Sequence, residues 1–251
     1  MKLSPRLLAM YGQIGKGERV ADIGTDHAYI PILLMKNGIS PMVIMSDISA
    51  GSMKKAKGNC IEQGFDFPAP CFRVGDGLST ILPGEVDTVV IGGLGGRTIA
   101  GILAADQKRT NSFRKLVLQP RNNSGELRLY LHLTGWRIAR ETLAPEGKFI
   151  CEIITALAPE KGNEFFPEFS GEDGLVRLLE EGRNCRWRYP ESFRELPPDQ
   201  KRLLQKRLDW KFESIRQEIE NLGRSTGDWN DRIAELEEER EYLTWIGENL
   251  T

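Results

Sequence analysis

Short runs rich in β-branched residues alternate with helical patterns along this chain, and no other sequence feature limits its possible folds as strongly. The strand-like runs are RVADI, MVIMSDI, APCFRV, VDTVVIGG, KLVLQ, WRIARETLA and FICEIITALA, in this order between residues 19 and 158. Helical patterns accompany them at residues 28–37, 50–64, 96–105 and 123–133. Because parallel neighbours need a crossover connection, usually a helix, this alternation predicts an α/β protein with a mainly parallel sheet and helices on both faces.

The last two strand-like runs are separated only by the four residues PEGK. Such a short connection is typical of a hairpin, so one of these strands must run antiparallel to its neighbour. Seven strands with an antiparallel last strand predict a doubly wound, Rossmann-like fold, and this outline suits the methyltransferase version of that fold. The all-parallel dinucleotide-binding form of that fold suits this order less well.

The pattern changes beyond residue 160. Residues 161–200 mix Gly, Pro, Phe and charged residues, and within them only residues 173–183 have a helical pattern. Two series of apolar residues at spacings of three and four then follow, separated by GRSTGD. This pattern predicts an antiparallel, coiled-coil-like helical hairpin over about residues 199–250. A helical apolar stripe is usually core or partner surface, so we assign it no catalysis.

The composition is typical of a soluble globular protein. Of 251 residues, 40% are apolar, which is sufficient for a core, and the change of pattern predicts two domains, residues 1–160 and 161–251. No segment approaches the ~20 apolar residues of a membrane span, so we expect a cytoplasmic protein without membrane contact. The four cysteines form no CxxC pair and there are only two histidines, so we expect structural thiols and no metal site.

Charge is distributed unevenly along the chain. Residues 1–160 contain 19 Lys and Arg against 15 Asp and Glu, whereas residues 161–251 contain 15 against 21. Residues 97–140 alone contain nine basic residues and only two acidic ones. Such an excess favours a polyanionic partner, and a solvated basic face is the alternative.

Small and acidic residues follow the first four strand-like runs. In an open parallel sheet a ligand lies over the carboxyl ends of the strands, so these residues are candidates for a cofactor site. They are Asp22 and Gly24 after the first run, Asp47 at the end of the second, Asp76 and Gly77 after the third, and Gly92 and Gly93 at the end of the fourth. A carboxylate can accept hydrogen bonds from a ribose, an adenine amine or an ammonium group, and glycine lets the backbone approach a ligand closely.

Each of these signals is weak alone, because a glycine-rich turn or an acidic strand end is more often a turn or a cap. At four consecutive strand ends they match S-adenosylmethionine, which needs acceptors for its ribose, adenine and ammonium groups. They do not match NAD, because a cluster of donors for a pyrophosphate is missing. The sequence also has no P-loop and no GxSxG motif, which disfavours phosphate-loop and serine-hydrolase chemistry.

Four segments carry a more specific signal: LSPRLLAMYGQIGKGERVADIGTDHAYIPILL, VDTVVIGGLGG, LVLQP and GKFICEI. In this order and spacing they resemble the bacterial tRNA (adenine-22 N1)-methyltransferase family over roughly residues 1–160. The resemblance implies a class I methyltransferase domain, S-adenosylmethionine as the methyl donor, an adenosine in the tRNA D-arm as the target, and a C-terminal coiled-coil-like helical domain.

Carried over by position, the resemblance implies one catalytic residue and a set of cofactor contacts. Asp26, where such loops usually have a glycine, corresponds to the carboxylate used in catalysis. The cofactor contacts are Asp22, Gly24, Thr25, Asp47, Asp76, Gly77, Gly92 and Gly93. The family's LQPN motif is LQPR in this chain and ends at Arg121. Any role of the motif's Asn is therefore either taken over by Asn122 or absent here.

N1 of adenine attacks with an in-plane lone pair, so it needs positioning more than deprotonation. Asp26 can accept a hydrogen bond from the adenine N6 amine and stabilise the positive charge of the methylated ring. The alternatives are that Asp26 caps the next helix or contacts the cofactor ammonium. The candidate substrate contacts are His27, Tyr29, Gln119, Pro120, Asn122, Arg97 and Arg121. His27 can stack, donate a hydrogen bond to Asp26 or pack, and packing or support is favoured over acid–base work. Tyr29 either stacks on the base or covers the helix surface.

Two other functions stay open at this point. One is an S-adenosylmethionine-dependent methyltransferase that acts on another RNA, a small molecule or a protein. The other is a non-catalytic, cofactor-binding RNA adaptor. The spacing of the hairpin does not distinguish closure within one chain from pairing with a second chain, and we favour a monomer.

Overall fold

The computed structural model describes residues 3–159, 181–248 and 250. Its sheet consists of β1 Val20–Ile23, β2 Val43–Asp47, β3 Phe72–Val74, β4 Thr88–Leu94, β5 Lys115–Pro120, β6 Arg137–Glu146 and β7 Phe149–Leu157. The α-helices of the described residues are α1 Pro5–Tyr11, α2 Tyr29–Lys36, α3 Ala50–Glu62, α4 Gly96–Ala104, α5 Gln107–Thr110, α6 Ser124–Leu133, α7 Cys185–Arg188, α8 Pro198–Arg224 and α9 Asn230–Glu248.

The seven strands form one sheet in the order β3-β2-β1-β4-β5-β7-β6. The strands β1 to β5 are parallel to one another, and β7 is antiparallel to both β5 and β6. The predicted fold class, a doubly wound seven-stranded sheet with an antiparallel last strand, is therefore confirmed. The strand order reverses between β1 and β4, which is where a ligand binds in folds of this type.

Both faces of the central sheet are buried. Val20 and Val90 point to one side, where α1, α2 and α3 cover them, and Ala21, Val89 and Ile91 point to the other side, where α4 and α6 pack. Side chains alternate between the faces of a strand, so a strand buried on both faces needs continuous apolar residues. The runs of β1, β4 and β5 are mainly apolar, as this burial requires.

Several parts of the fold differ from the sequence prediction: β3 is shorter, and the helices α1, α5 and α7 were not predicted. Residues Ala69–Cys71 form a 3₁₀ helix, so β3 begins only at Phe72, because a proline within the turn cannot donate to a ladder. Helix α1 begins after Ser4, whose hydroxyl accepts a hydrogen bond from the Leu7 amide at 3.4 Å, and it buries Met10 against the sheet.

The helices α8 and α9 lie where the sequence predicts the hairpin, and they share an apolar core. Its fully buried members on the two helices are Leu204, Leu208, Ile215, Leu236, Leu243 and Ile246. Helix α8 runs on through Gly223 to Arg224, past the start of GRSTGD. It also contacts the sheet, because the Leu143 amide of β6 donates to Gln200 Oε1 at 3.0 Å. Most of the helix predicted at residues 173–183 lies outside the described residues, and the domain division at residue 160 stays a prediction. None of the described helices is long and apolar enough to span a membrane.

Candidate active site

The register of the sheet brings the predicted strand ends together. Neighbouring Cα partners are Val74 and Asp47, Ser46 and Ile23, Ile23 and Ile91, and Gly92 and Gln119. The residues that follow the first four strands therefore lie side by side along one edge of the sheet. Two backbone hydrogen bonds link adjacent loops, from the Gly24 amide to Ser46 O at 2.7 Å and from the Gly75 amide to Asp47 O at 3.0 Å.

The Asp22 carboxylate is buried inside this edge, with 8% of the residue exposed. Its pKa is raised to about 6, chiefly by burial and in part by the negative charge of Asp47, although a hydrogen bond with Thr25 acts to lower it. Asp22 forms no ion pair with any residue of the described ranges. A buried carboxylate without a cation fits the ammonium group of an amino-acid cofactor, since the two charges would stabilise each other.

Two glycines beside Asp22 adopt backbone conformations that other residues disfavour. Gly24 has φ of +77° and Gly93 has φ of +80°. A Cβ built at Gly93 would meet no atom within 4 Å, so the space beside this backbone is open. The space beside the neighbouring Gly92 is filled instead, because a Cβ built there would lie 2.5 Å from Met10 Cε. The geometry leaves Gly24 and Gly93 free to face a ligand, and it gives Gly92 a packing role beside α1.

The candidate ribose and adenine contacts lie on the β2 and β3 side of the edge. The Oδ1 atom of Asp47 accepts a hydrogen bond from the Ser49 amide at 2.7 Å, which fixes the carboxylate at the end of its strand. Asp76 is exposed and its side chain makes no cap bond to the following 3₁₀ helix, Gly77–Thr80. Both side chains retain free acceptor capacity toward a nucleoside.

Asp26 is half-exposed and held between two basic side chains. Its Oδ1 atom lies 3.2 Å from Lys55 Nζ, and its Oδ2 atom lies 3.1 Å from His27 Nε2. Asp26 does not cap α2, because the N-cap position belongs to Ala28, which has φ of 54° and makes no side-chain cap bond. Of the roles weighed from the sequence, helix capping is therefore wrong for Asp26.

The loop that carries Asp26 is fixed from α3. Asn59 Nδ2 donates to His27 O at 2.5 Å, and the imidazole ring of His27 stacks on Tyr29 with centroids 5.3 Å apart. Lys55 and Asn59 are one turn apart on the same face of α3, and the sequence analysis missed both. Their spacing of four residues shows that they share a face, but only the fold shows that this face meets the Asp26 loop.

The fifth strand end is held by a side-chain amide. The Oε1 atom of Gln119 accepts hydrogen bonds from the Gly93 amide and from Arg6 Nη1, both at 3.1 Å, and its Nε2 atom donates to Pro120 O at 2.9 Å. Gln119 is only 1% exposed. With these polar atoms engaged, Gln119 positions the Gly93 loop. Arg6, one of its partners, had no signal in the sequence.

A cleft of about 800 Å³ opens from this strand end. Five of the predicted substrate contacts line it, namely Arg97, Gln119, Pro120, Arg121 and Asn122, together with Gly93. His27 and Tyr29 are not part of its lining. The structure thus brings the predicted residues of β4, β5 and their loops together, and it places His27 and Tyr29 with Asp26 instead.

The basic segment, residues 97–140, does not form one continuous charged face. Arg97 pairs with the buried carboxylate of Glu126, so its charge is compensated. Arg128 is 1% exposed and pairs with Glu141 and Glu152. The segment therefore does not present all its basic residues to a polyanionic partner: the charge of Arg128 is committed to two buried carboxylates, and Arg97, although 41% of its side chain is exposed, is paired with Glu126.

Within residues 3–159, 181–248 and 250, no group of three or more His, Cys, Asp or Glu residues is placed to hold a metal ion. The four cysteines are all free thiols.

Comparison with known proteins identifies the relatives of this chain. Residues 3–154 match the family model described as a methyltransferase domain. The tRNA (adenine(22)-N(1))-methyltransferase of Bacillus subtilis is 32% identical over 161 residues, which are 64% of this chain and 67% of that protein. The chain belongs to the tRNA (adenine(22)-N(1))-methyltransferase family. The family resemblance inferred from the four sequence segments is thus confirmed.

Solved structures of this methyltransferase family match the whole fold. The crystal structure of the B. subtilis m1A22 tRNA methyltransferase has a TM-score of 0.68 and 25% identity, and the match covers 98% of this chain and 99% of that one. A structure of the M. capricolum protein, in complex with S-adenosyl-homocysteine, has a TM-score of 0.69 over both full chains. At 21% identity, that second likeness shows the fold alone.

Proposed function

We propose that this chain transfers the methyl group of S-adenosylmethionine to N1 of the adenosine at position 22 of tRNA, in the cytoplasm. The buried carboxylate of Asp22, which has no cationic partner among the described residues, lies beside the open backbone of Gly24 and Gly93 and carries the proposal for the cofactor. The 32% identity to the B. subtilis enzyme carries the proposal for the substrate.

The residues of the sheet edge would hold the cofactor by its polar groups. Asp22 would pair with the ammonium, Asp47 would accept from the ribose hydroxyls, and Asp76 would accept from the adenine amine. Gly24, Thr25, Gly77 and Gly93 would lie along the cofactor, and Gly92 would support them through its contact with Met10. Bound there, S-adenosylmethionine supplies an electrophilic methyl group on a sulfonium.

Asp26 is our candidate catalytic residue. Its carboxylate is exposed, fixed by Lys55 and His27, and supported by a loop that Asn59 holds. An exposed, oriented carboxylate can accept from the exocyclic amine of the target adenine and stabilise its positive charge after methyl transfer. His27 and Tyr29 would then support Asp26 and face the base. On the opposite side, Pro120, Asn122 and Arg121 would contact the target strand, while Arg97 and Gln119 shape the cleft.

The test is methyl transfer with radiolabelled S-adenosylmethionine and unmodified tRNA, with the product mapped by reverse-transcription stops and nucleoside mass. We expect one N1-methyladenosine at position 22, and no transfer to the same tRNA with guanosine at that position. Transfer to small molecules or proteins but never to tRNA would contradict the proposal.

The role of Asp26 is tested by Asp26→Asn, with Asp66→Asn on the exposed loop after α3 as the matched control. We expect Asp26→Asn to lower kcat about 100-fold and to leave the Kd of S-adenosylhomocysteine unchanged, while Asp66→Asn changes neither. Full turnover by Asp26→Asn would remove Asp26 from catalysis and would favour a role confined to the loop.

A further inference from the structure

The arginine-lined cleft at the end of β5 extends beyond the predicted base contacts. Its inner side is formed by Gly93 and Gln119, and its outer side includes Arg207 and Trp210 of α8. The same cavity therefore connects the cofactor edge of the sheet with the C-terminal helices.

Two large aromatic side chains at this outer side are exposed to solvent. Phe149, the first residue of β7, is 63% exposed, and Trp210 is 53% exposed. Both line the cleft. Aromatic side chains that line a concave, partly polar surface can supply contacts to a ligand.

The helix face that carries Trp210 is anchored to the sheet. Arg207 Nη1 lies 2.5 Å from Glu152 Oε1 on β7, and the Arg207 guanidinium lies 4.7 Å from the centroid of the Tyr189 ring. Trp210 follows Arg207 by three residues, so it lies on the same side of α8, nearly one turn further along. The anchor holds the indole ring at the cleft.

The charge of the cleft is positive after internal pairs are counted. Three of its arginines pair with glutamates that also line it, in the pairs Arg6 with Glu146, Arg97 with Glu126 and Arg207 with Glu152. Arg121 and Arg183 also line the cleft, are exposed, and form no ion pair with any other described residue. These two guanidinium groups remain available to an anion.

We propose that Trp210 and Phe149 stack on unpaired bases of the tRNA strand next to the target adenosine, while Arg121 and Arg183 contact its phosphates. The inference rests on the proposed function and adds a binding site outside the cofactor edge. A target base must leave the base stack to reach an enzyme's pocket. The unpaired bases next to it then lose the target base as a stacking partner. Aromatic side chains replace that stacking, and cations beside them bind the backbone.

The test compares Trp210→Leu and Phe149→Leu with Trp229→Leu in the full chain. Trp229 is 42% exposed in the connection between α8 and α9 and does not line the cleft, so it is the matched control. We expect Trp210→Leu and Phe149→Leu each to raise the Kd and the KM for unmodified tRNA about tenfold. The kcat and the Kd of S-adenosylhomocysteine should stay within about twofold of wild type.

Rescue and binding measurements separate stacking from general packing. Trp210→Phe retains an aromatic face and should bind tRNA nearly as well as wild type. Binding is measured without S-adenosylmethionine, by fluorescence polarisation of labelled tRNA, so that it does not depend on methyl transfer. If wild type binds tRNA through Trp210 but methylates nothing, the proposed function fails and the stacking site stands.

Three outcomes would overturn the inference. Unchanged tRNA affinity in Trp210→Leu, in a protein that methylates adenosine 22, removes the stacking site and leaves the proposed function intact. An equal loss in Trp229→Leu shows an effect on the helices as a whole. A wild-type dimer in sedimentation that dissociates in Trp210→Leu, with tRNA affinity retained, assigns the aromatic pair to a second copy of the chain.

Discussion

Replacing Asp22 by Asn has opposite expected effects on stability and on cofactor affinity. The cofactor-free protein keeps a buried carboxylate at Asp22 without a cationic partner among the described residues, so the ionised form is unfavourable there. The cofactor ammonium, when bound, would make the same ionised form favourable. Asp22→Asn should therefore stabilise the free protein and weaken the binding of S-adenosylhomocysteine.

The magnitude follows from the pKa of Asp22, which burial raises from 3.8 to about 6. At about 1.4 kcal/mol per pH unit, ionisation in the folded state costs about 3 kcal/mol. Because folding raises the pKa of Asp22, the protonated carboxyl contributes to the stability of the wild-type protein. This contribution is fully present below pH 3.8 and is lost as the pH rises through about 6. At pH 7.5, Asp22→Asn should raise Tm by about 5–10 °C.

Cofactor affinity should show the complementary pH dependence. If only the ionised form of Asp22 binds the ammonium, the Kd of S-adenosylhomocysteine should be about tenfold weaker at pH 5 than at pH 7. Isothermal titration calorimetry over this range measures it directly, and the α-amino group of the ligand stays protonated below about pH 7. Asp22→Asn should bind about 10- to 100-fold more weakly than wild type at pH 7, with no pH dependence in this window.

Asp47→Asn is the matched control, because it removes a predicted ribose contact and leaves Asp22 in place. It should keep the pH dependence, with a slightly lower midpoint, since the charge of Asp47 raises the pKa of Asp22. A wild-type Kd that stays within twofold between pH 5 and pH 7 would refute the pairing of Asp22 with the ammonium. A lower Tm for Asp22→Asn at pH 7.5 would refute the claim that the buried charge is unfavourable.

Three further predictions address the sheet, the core and the RNA surface. Burial alone would raise the pKa of Glu152, but Arg128 and Arg207 lower it to about 2, so Glu152→Gln should reduce the free energy of unfolding at pH 7 by about 3–5 kcal/mol. In urea titrations this difference should shrink as the pH falls from 4.5 toward 2, and a constant difference would contradict it. Gly96→Ala should prevent folding or lower Tm strongly, because its Cβ would lie 2.2 Å from the backbone oxygen of Asn123. A Cβ at Gly101 would meet no atom within 4 Å, so Gly101→Ala should stabilise α4 by about 0.5–1 kcal/mol. The affinity for tRNA should fall steeply with salt, and Arg121→Gln should reduce the slope of log K against log salt by about 1.

The strand ends were predictable because sheet geometry constrains them. Once the alternation of strands and helices is recognised, parallel strands must deliver their carboxyl ends to one edge, so Asp22, Asp47 and Gly92 had to become neighbours. The loop residues around Asp26 were only partly predictable. Lys55 and Asn59 reach this loop because α3 crosses over β2 in one particular orientation, which no local spacing specifies.

The sequence by itself determined the order and type of the strands, the antiparallel final hairpin, the candidate cofactor edge and the family. These properties follow from local periodicity, from short connections and from motifs contiguous in the chain. Only the tertiary structure decided which charges are free, because pairing depends on long-range contacts. Arg121 and Arg128 both belong to the basic segment, and the local sequence does not distinguish their environments. In the structure, Arg128 is buried between two glutamates and Arg121 is exposed at the cleft. The same packing set Trp210 against a cleft whose lining also includes residues as distant in the chain as Arg6 and Gln119, a neighbourhood that no helical stripe reveals.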